Sequence, residues 1–257
     1  MSGLAFEAVT KVYETRSGPL TVLDGIDITV APNEFVTIVG ASGCGKSTLL
    51  QCAAGLNVPT SGTITLDGIP VVGPSAERGM VFQSYTLFPW LTIEQNVGFG
   101  LTLDGVSARE KRETIAHYLG VVGLTKYAKA YPRTLSGGMQ QRVAIARGLA
   151  NRPAVLLMDE PFGALDAQTR MVMQEFLLEI WRTTHMSILF VTHDVEEAVY
   201  LGERVYVLRS HPGRVREELR PKLGAGRSHE TKRTASFHAC VDDVLDHLRE
   251  EALAHVG

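Results

Sequence analysis

A glycine-rich segment near the N-terminus has the spacing of a loop that binds phosphate groups. It follows the apolar run Val36–Val39, precedes a predicted helix, and reads Gly40-Ala41-Ser42-Gly43-Cys44-Gly45-Lys46-Ser47-Thr48. Glycines let backbone N–H groups approach phosphates, and a helix N-terminus adds positive potential. We therefore expect Lys46 to reach the β- and γ-phosphates of a nucleotide and the Ser47 hydroxyl to hold Mg²⁺. The alternative, a chance glycine-rich turn, is disfavoured by the strand-then-helix context.

Two adjacent carboxylates follow a second apolar run, and a histidine follows a third. Asp159 and Glu160 come directly after Val155–Met158, and His193 comes shortly after Ile188–Val191. In parallel sheets, ligands lie at the carboxyl ends of the strands, where the phosphate loop is also expected. We predict that Asp159 coordinates Mg²⁺, that Glu160 orients and polarises an attacking water, and that His193 reaches the γ-phosphate. The alternative for each is an ordinary solvated or packed side chain.

Two further helices have N-terminal caps in the sequence. Asp194 follows the histidine and lies three residues before Glu197, the spacing of a capping box. Ser136 can cap another helix, and Gly137 and Gly138 expose backbone N–H groups to an anion. Taken alone, this second start is either a plain capped helix or a second phosphate site. One chain cannot easily use two phosphate sites for one nucleotide, so a second site suggests two chains that share two nucleotides.

Hydrophobic patterning predicts the elements that hold these residues. Buried strands of a mostly parallel sheet, covered on both faces, are predicted from four apolar runs: Val36–Val39, Val155–Met158, Ile188–Val191 and Val205–Leu208. Additional strands, the first two antiparallel, are predicted at Leu4–Val12, Val22–Val30 and Gly62–Leu66. The strand signal disappears between Gln83 and Ala150, and helices are predicted at Ala108–Leu119 and Gly137–Leu149. The sequence therefore predicts a helical insert.

The domain organisation follows from the same pattern. We predict one domain over residues 1–225, with a helical subdomain inserted at about 84–150, and a linker with an amphipathic helix over 226–257. One face of this last helix carries the apolar residues Phe237, Val241, Val244, Leu245 and Leu248. Packing against the domain is the favoured role of this helix, and a regulatory binding module is the alternative.

Composition excludes several classes of protein. Hydrophobic residues make up 45% of the 257 residues, which is typical of a globular chain, and the net charge of −3 disfavours nucleic-acid binding. Three unpatterned cysteines (Cys44, Cys52 and Cys240) indicate a reducing compartment and no metal cage. The segment Met1–Thr10 lacks the pattern of a signal peptide, and the charge-free stretch Ser47–Leu66 contains glycine and proline and does not fit a membrane span.

Taken together, the motifs resemble those of ABC transporter ATPase subunits over nearly the whole chain. The order matches that family: Tyr13, the phosphate loop, Gln83, Leu135-Ser136-Gly137-Gly138, Asp159-Glu160, Leu165-Asp166 and His193. The resemblance implies an α/β fold, a P-loop NTPase (RecA-like) core with a mostly parallel sheet, an antiparallel β subdomain and an inserted α-helical subdomain. Two positions depart from the family pattern: Met139 stands where glutamine is common, and Gly163 replaces the commoner serine. Neither touches the catalytic carboxylates.

The resemblance also implies roles for individual residues. Two ATP molecules with Mg²⁺ would lie between the subunits of a head-to-tail homodimer, each between one chain's phosphate loop and the other chain's Ser136–Gly138. Gln83 would sense the γ-phosphate and contribute to the metal site, and Asp166 would communicate across the dimer. Glu160 and His193 would act in hydrolysis. Tyr13 is expected to stack on adenine, with packing on its own strand as the alternative.

Some segments resemble the nitrate, sulfonate and taurine importer group, with taurine the first choice. They are Phe82-Gln83, Leu87–Thr92, Glu160–Arg170 and Ser210–Val215. The resemblance implies two transmembrane permease subunits, an indirect periplasmic or extracellular substrate-binding protein, and a peripheral position on the cytoplasmic face of the cell membrane. The main alternative is a non-transport ABC ATPase acting as a soluble dimer. A P-loop kinase of a small metabolite is disfavoured, because such a kinase would lack Leu-Ser-Gly-Gly.

An apolar group follows Gln83 and raises one more question. It contains Tyr85, Leu87, Phe88, Pro89, Trp90 and Leu91. Large apolar side chains on a surface mark partner sites, and the resembled family docks a short permease helix in this region. We therefore predict that Phe88 and Trp90 help to form a docking groove. The alternative is that both close the core of the helical insert.

Overall fold

The computed structural model describes residues 3–224 and 226–254, and the strands in these ranges form two sheets. The strands are β1 (Leu4–Thr15), β2 (Gly18–Val30), β3 (Phe35–Gly40), β4 (Ser61–Leu66), β5 (Ile69–Pro70), β6 (Arg78–Val81), β7 (Val155–Asp159), β8 (Ser187–Thr192), β9 (Arg204–Arg209) and β10 (Arg214–Leu219). The helices are α1 (Lys46–Ala53), α2 (Ile93–Val97), α3 (Phe99–Leu103), α4 (Ala108–Val121), α5 (Gly137–Ala150), α6 (Ala167–Thr184), α7 (Val195–Leu201) and α8 (Ala235–Ala254).

The larger sheet has the order β10-β9-β3-β8-β7-β6 and is parallel except for β10, which pairs antiparallel with β9. Successive residues of the buried strands alternate between two apolar clusters on opposite faces. In β3, for example, Val36 and Ile38 pack on the α1 face, whereas Phe35 and Val39 pack with α5, α6 and α7. This two-sided burial explains the continuous apolar runs and confirms the predicted, mostly parallel sheet.

The smaller sheet has the order β2-β1-β4-β5 and is antiparallel throughout, as predicted for its first strands. Its inward side chains, such as Phe6 and Ile28, join Leu49 of α1 and the β3 face in one buried cluster. The sheet thus covers the helix that follows the phosphate loop. A short bridge between Leu23 of β2 and Gly213 connects the two sheets beside that loop.

The segment that leads into the helical insert between β6 and β7 is fixed by Asn96 of α2. This side chain is fully buried, and its amide nitrogen donates to the backbone oxygens of Phe88, Leu91 and Thr92 at 3.0–3.2 Å. Its amide oxygen accepts the N–H of Phe88 at 2.8 Å. Residues 82–154 contain no strand, as the sequence predicts. One buried amide therefore sets the path of the segment that enters the insert.

The C-terminal helix α8 packs on the larger sheet and on α7. Phe237, Val241 and Val244 are buried in the cluster that contains α5, α6 and α7, and Leu245 and Leu248 pack against its edge. The packing predicted for this face is confirmed. Across the residues that the structure describes, no helix is both long enough and apolar enough to cross a bilayer.

Candidate active site

The phosphate loop has the conformation that its glycines allow. Gly43 and Gly45 have φ of 83° and 96°, in the left-handed region that favours glycine. A Cβ on Gly45 would lie 2.6 Å from a methyl carbon of Leu23, so space as well as backbone geometry requires glycine. No side chain caps α1 at Gly45, so the N–H groups of its first turn are open to an anion.

A turn between β9 and β10 supports this loop from outside. Gly213 donates its N–H to Val22 O and accepts the N–H of Asp24, both at 2.9 Å. A Cβ at Gly213 would lie 2.2 Å from the carbonyl oxygen of Cys44 in the phosphate loop. Only glycine permits this approach. In the sequence, this turn (within Ser210–Val215) is notable only for its family resemblance. Its contact with Cys44 shows that it supports the phosphate loop.

Lys46 brings the phosphate loop and the catalytic carboxylate together. Its side chain is only 5% exposed, and the ammonium donates to the carbonyl oxygens of Gly40 and Ala41 at 2.8 and 3.0 Å. The same nitrogen lies 3.7 Å from a carboxylate oxygen of Glu160. A buried ammonium at the head of the loop attracts phosphate oxygens strongly, since charge-assisted hydrogen bonds are roughly twice as strong as neutral ones.

Ser47 and Asp159 meet at the carboxyl end of β7. The Ser47 hydroxyl donates to Asp159 Oδ1 at 2.9 Å, and Asp159 is buried. Burial raises the pKa of Asp159 and the neighbouring Glu160 adds to this, whereas the Ser47 hydrogen bond and the Lys46 ammonium lower it. A hydroxyl and a carboxylate side by side are oxygen donors of the type that Mg²⁺ prefers, so these residues fit the metal.

Gln83, the third predicted metal ligand, forms no described hydrogen bond with Ser47 or Asp159. It follows the end of β6 at the same edge of the sheet, and its side chain is exposed. Its role at the metal stays a prediction.

Glu160 has the backbone strain that often accompanies function. Its φ is 41°, which is uncommon for a residue other than glycine. Backbone strain of this kind is concentrated at active and ligand-binding sites. The Glu160 N–H donates to Val191 O of the neighbouring strand at 3.0 Å. Its second carboxylate oxygen lies 2.8 Å from Nδ1 of His193. The structure thus brings together Lys46, Ser47, Asp159, Glu160 and His193, as the sequence predicts.

The cap of α7 differs from the predicted capping box. Asp194 does cap the helix, because its Oδ1 accepts the N–H of Glu197 at 3.1 Å. The reciprocal bond is replaced: the Asp194 N–H donates to Thr192 Oγ1 at 3.0 Å. Glu197 turns into the protein instead, is 3% exposed, and has its pKa raised by burial, partly offset by hydrogen bonds from Thr192 and Gln174. Sequence reasoning therefore missed the role of this carboxylate.

Tyr13 is half-buried on β1 and is linked to the segment after α1. Its hydroxyl accepts a hydrogen bond from Asn57 at 3.2 Å, and Asn57 also donates to Gln51 of α1 at 2.7 Å. The Lys11 ammonium lies 4.9 Å from the ring centroid. The ring therefore lies beside the helix that starts at the phosphate loop. Stacking on adenine stays a prediction.

The Leu-Ser-Gly-Gly segment belongs to a second group of residues. Ser136 caps α5, as predicted, by accepting the Met139 N–H at 3.4 Å. A Cβ on Gly138 would lie 2.6 Å from a methyl carbon of Thr169 in α6. Asp166 caps α6 through the Thr169 N–H at 3.0 Å, and this bond lowers the pKa of Asp166. No described hydrogen bond joins this group to the first one, so one chain presents two separate candidate phosphate sites.

The loop after Gln83 is attached to α5 and ends in an exposed tryptophan. Arg147 of α5 donates to the carbonyl and hydroxyl oxygens of Thr86 at 2.7 and 2.8 Å. Its guanidinium lies 5.7 Å from the ring centroid of Phe88, and burial lowers the pKa of Arg147. Trp90 is 70% exposed. For Trp90, the alternative that it closes the core of the helical insert is therefore wrong, because its ring lies mainly in solvent, and the docking role stays a prediction.

Comparison with known proteins agrees with this geometry. The ABC transporter family profile matches residues 23–163. A nitrate import ATP-binding protein of Synechocystis is 53% identical over 94% of this chain and 93% of its own length. A taurine import ATP-binding protein of Chromobacterium violaceum is 44% identical over 100% of this chain and 96% of its own length.

A solved structure extends the likeness to three dimensions. It is the dimeric, post-hydrolysis state of the ATP-binding cassette MJ0796 bound to ADP and phosphate. The TM-score is 0.75, with 33% identity, over 84% of this chain and 98% of that one. In this chain, the fold that matches the cassette brings the phosphate loop, the paired carboxylates and the histidine to one edge of the sheet.

Proposed function

The chain belongs to the ABC transporter family, whose ATP-binding subunits are ATPases, and we propose that it powers an importer of a small oxyanion-bearing solute, either nitrate or a sulfonate such as the zwitterion taurine. The contact of Lys46 and His193 with the two oxygens of Glu160, at 3.7 and 2.8 Å, is the observation that carries the ATPase assignment. Both nitrate and taurine import proteins are close in sequence, so the relatives do not favour the taurine choice made from motifs.

The residues divide the work of hydrolysis. The loop N–H groups and Lys46 bind and neutralise the β- and γ-phosphates of ATP, and Tyr13 stacks on the base. Glu160 orients the attacking water and accepts its proton, while His193 holds the carboxylate in place through the bond at its Nδ1. Ser47 and Asp159, with Gln83, would hold Mg²⁺, and the bound ion would neutralise charge on the phosphates.

The second group of residues suggests how the active unit assembles. Ser136, Gly137 and Gly138 lie at the N-terminus of α5, where backbone N–H groups favour an anion. These residues have no described hydrogen bond to the phosphate loop of their own chain. We infer that they contact the γ-phosphate bound by a second copy, giving a homodimer with two ATP molecules between the subunits, and that Asp166 lies near that boundary. The dimeric state of the MJ0796 cassette supports this arrangement.

Energy reaches the membrane through partner subunits. We propose that two permease subunits bind the surface around Phe88 and Trp90 at the cytoplasmic face of the cell membrane, and that a separate binding protein delivers the transported solute. The exposed Trp90 supports this, since tryptophan is a favoured interface anchor. Gln83 precedes this surface by a few residues and is placed to connect its movement to ATP occupancy. Nucleic acid has no part in this proposal.

Glu160→Gln tests the proposal directly. The amide keeps the shape of the side chain and cannot act as a base, so we expect ATP binding with hydrolysis slowed by at least about 100-fold. Size-exclusion chromatography should show a dimer with ATP and a monomer with ADP, which serves as the matched control. A variant that binds ATP and still elutes as a monomer would contradict the shared-site dimer, and one with normal turnover would contradict the role of Glu160.

A further inference from the structure

His193 lies on a very short connection whose two ends are both hydrogen-bonded to Glu197, one to its buried carboxylate and the other to its backbone N–H. The strand β8 ends at Thr192 and α7 begins at Val195, so His193 has one residue of the connection after it and the strand end before it. On the strand side, the Thr192 hydroxyl donates to Glu197 at 2.6 Å. On the helix side, the Glu197 N–H donates to Asp194 at 3.1 Å. Thr192 also accepts the N–H of Asp194, which closes the arrangement around the histidine.

A second layer of polar side chains holds Glu197. Gln174 of α6 is 2% exposed and donates its amide N–H to Glu197 Oε1 at 2.9 Å. Its amide oxygen accepts from the Lys232 ammonium at 2.8 Å, and that ammonium lies 4.5 Å from the centroid of the Tyr200 ring. The amide dipole therefore points its positive end at the carboxylate and its negative end at the ammonium. This orientation stabilises the charge on both neighbours.

Capping alone does not explain this network. Asp194 already caps α7, so Glu197 contributes only a backbone N–H to the cap. Burying a carboxylate costs free energy unless hydrogen bonds replace water, and an apolar side chain would pack between α6 and α7 without that cost. Fully satisfied buried networks restrict side chains to a single arrangement. The network around Glu197 fixes the geometry of residues 192–194, and His193 lies at their centre.

We propose that Glu197 is a positioning residue for His193, and that Gln174 and Lys232 hold Glu197 in place. This inference rests on the catalytic role proposed above for His193. Lys232 lies between β10 and α8, beyond the ATPase domain predicted from the sequence. The C-terminal segment thus contributes to the alignment of the active site in addition to packing on it.

The first test is Glu197→Gln, which keeps the size of the side chain. Its amide oxygen can still accept from Gln174, but its NH₂ group then faces the Thr192 hydroxyl, which loses its acceptor, and the negative charge is removed. We expect kcat for ATP hydrolysis to fall about tenfold, equivalent to about 1.4 kcal/mol, with KM for ATP changed less than about twofold. The control is Glu179→Gln, which removes the same charge from an exposed position of α6 and should leave both constants unchanged.

A double-mutant cycle separates positioning from general stabilisation. If Glu197 acts through His193, Glu197→Gln should lower kcat no further once His193→Ala is present. Equal effects in both backgrounds, or a Glu197→Gln enzyme with unchanged kcat, would overturn the inference and leave the ATPase assignment intact. A His193→Ala enzyme with normal kcat would instead refute the proposed role of the histidine and this inference with it.

Lys232 supplies an independent variant if Glu197→Gln does not fold. Lys232→Met keeps most of the length of the side chain and removes its charge, at a position on the edge of the network. We expect a smaller fall in kcat, about threefold, with unchanged KM, and recovery in Lys232→Arg, which restores a donor for Gln174. Steady-state phosphate release measures all variants. A Lys232→Met enzyme with unchanged kcat, or one that Lys232→Arg fails to restore, would overturn the proposal for the C-terminal segment.

Discussion

Trp90→Ala separates the function of the exposed tryptophan from its small structural role. The ring is 70% exposed and contacts Phe88 at a centroid distance of 5.7 Å. If this surface binds a permease helix, removal of the ring deletes an anchor from the interface and leaves the isolated subunit folded. We expect normal basal ATPase activity, impaired assembly with the permease and loss of transport.

The structure sets the size of the effect on stability. Aromatic side chains bury about 150–250 Å² when fully packed, so the third or less of Trp90 that is hidden amounts to about 75 Å² at most. At about 25 cal/mol per Å², this area contributes no more than about 2 kcal/mol. Truncation of a core tryptophan costs about 3–5 kcal/mol. Urea unfolding of the isolated subunit should therefore show a loss below the core range.

The matched control is Ile69→Ala, because Ile69 is 69% exposed and lies on β5 at the edge of the smaller sheet. It should lose similarly little stability and support normal assembly and transport. Co-purification with the permease and uptake in reconstituted vesicles measure both variants. A Trp90→Ala subunit that loses about 3–5 kcal/mol would refute the reasoning from exposure. A folded variant with normal transport would refute the anchor role.

Two further predictions concern nucleotide binding. Lys46→Ala removes the ammonium that neutralises phosphate charge, so phosphate release should become undetectable and titration with ATP should show strongly weakened binding; near-normal turnover would contradict the assignment. Tyr13→Ala should raise the Kd for ATP about tenfold, equivalent to about 1.4 kcal/mol of stacking, whereas Tyr13→Phe, which keeps the ring and loses only the bond from Asn57, should bind normally. An unchanged Kd in folded Tyr13→Ala would favour packing on β1.

The parts of the site that could be predicted have determinants that are contiguous in the sequence. The phosphate loop carries its glycines, lysine and serine within nine residues, and Asp159 and Glu160 directly end an apolar strand. Parallel strands bring their carboxyl ends to one edge, so the meeting of these groups with His193 followed from the predicted parallel arrangement. The buried strands were predictable for the same reason, since burial on both faces leaves an uninterrupted apolar run.

Elements at the surface were harder to predict. The strand β10 is rich in charged residues, and only its antiparallel pairing with β9 makes it a strand. The exposure of Trp90 was also open, because an apolar run near a helical insert is compatible with a core or with a surface. The surrounding structure decided this, since Asn96 and Arg147 hold the loop so that Phe88 is half-buried and Trp90 is exposed.

The sequence by itself determined which side chains are the candidates for binding phosphate and metal, and which strands carry them. Only the tertiary structure decided what holds those side chains still. Gly213 approaches Cys44 closely, although about 170 residues separate them in the chain. Glu197 likewise joins Gln174 to Thr192. Such contacts depend on side chains that packing brings together from distant segments, so no local pattern records them.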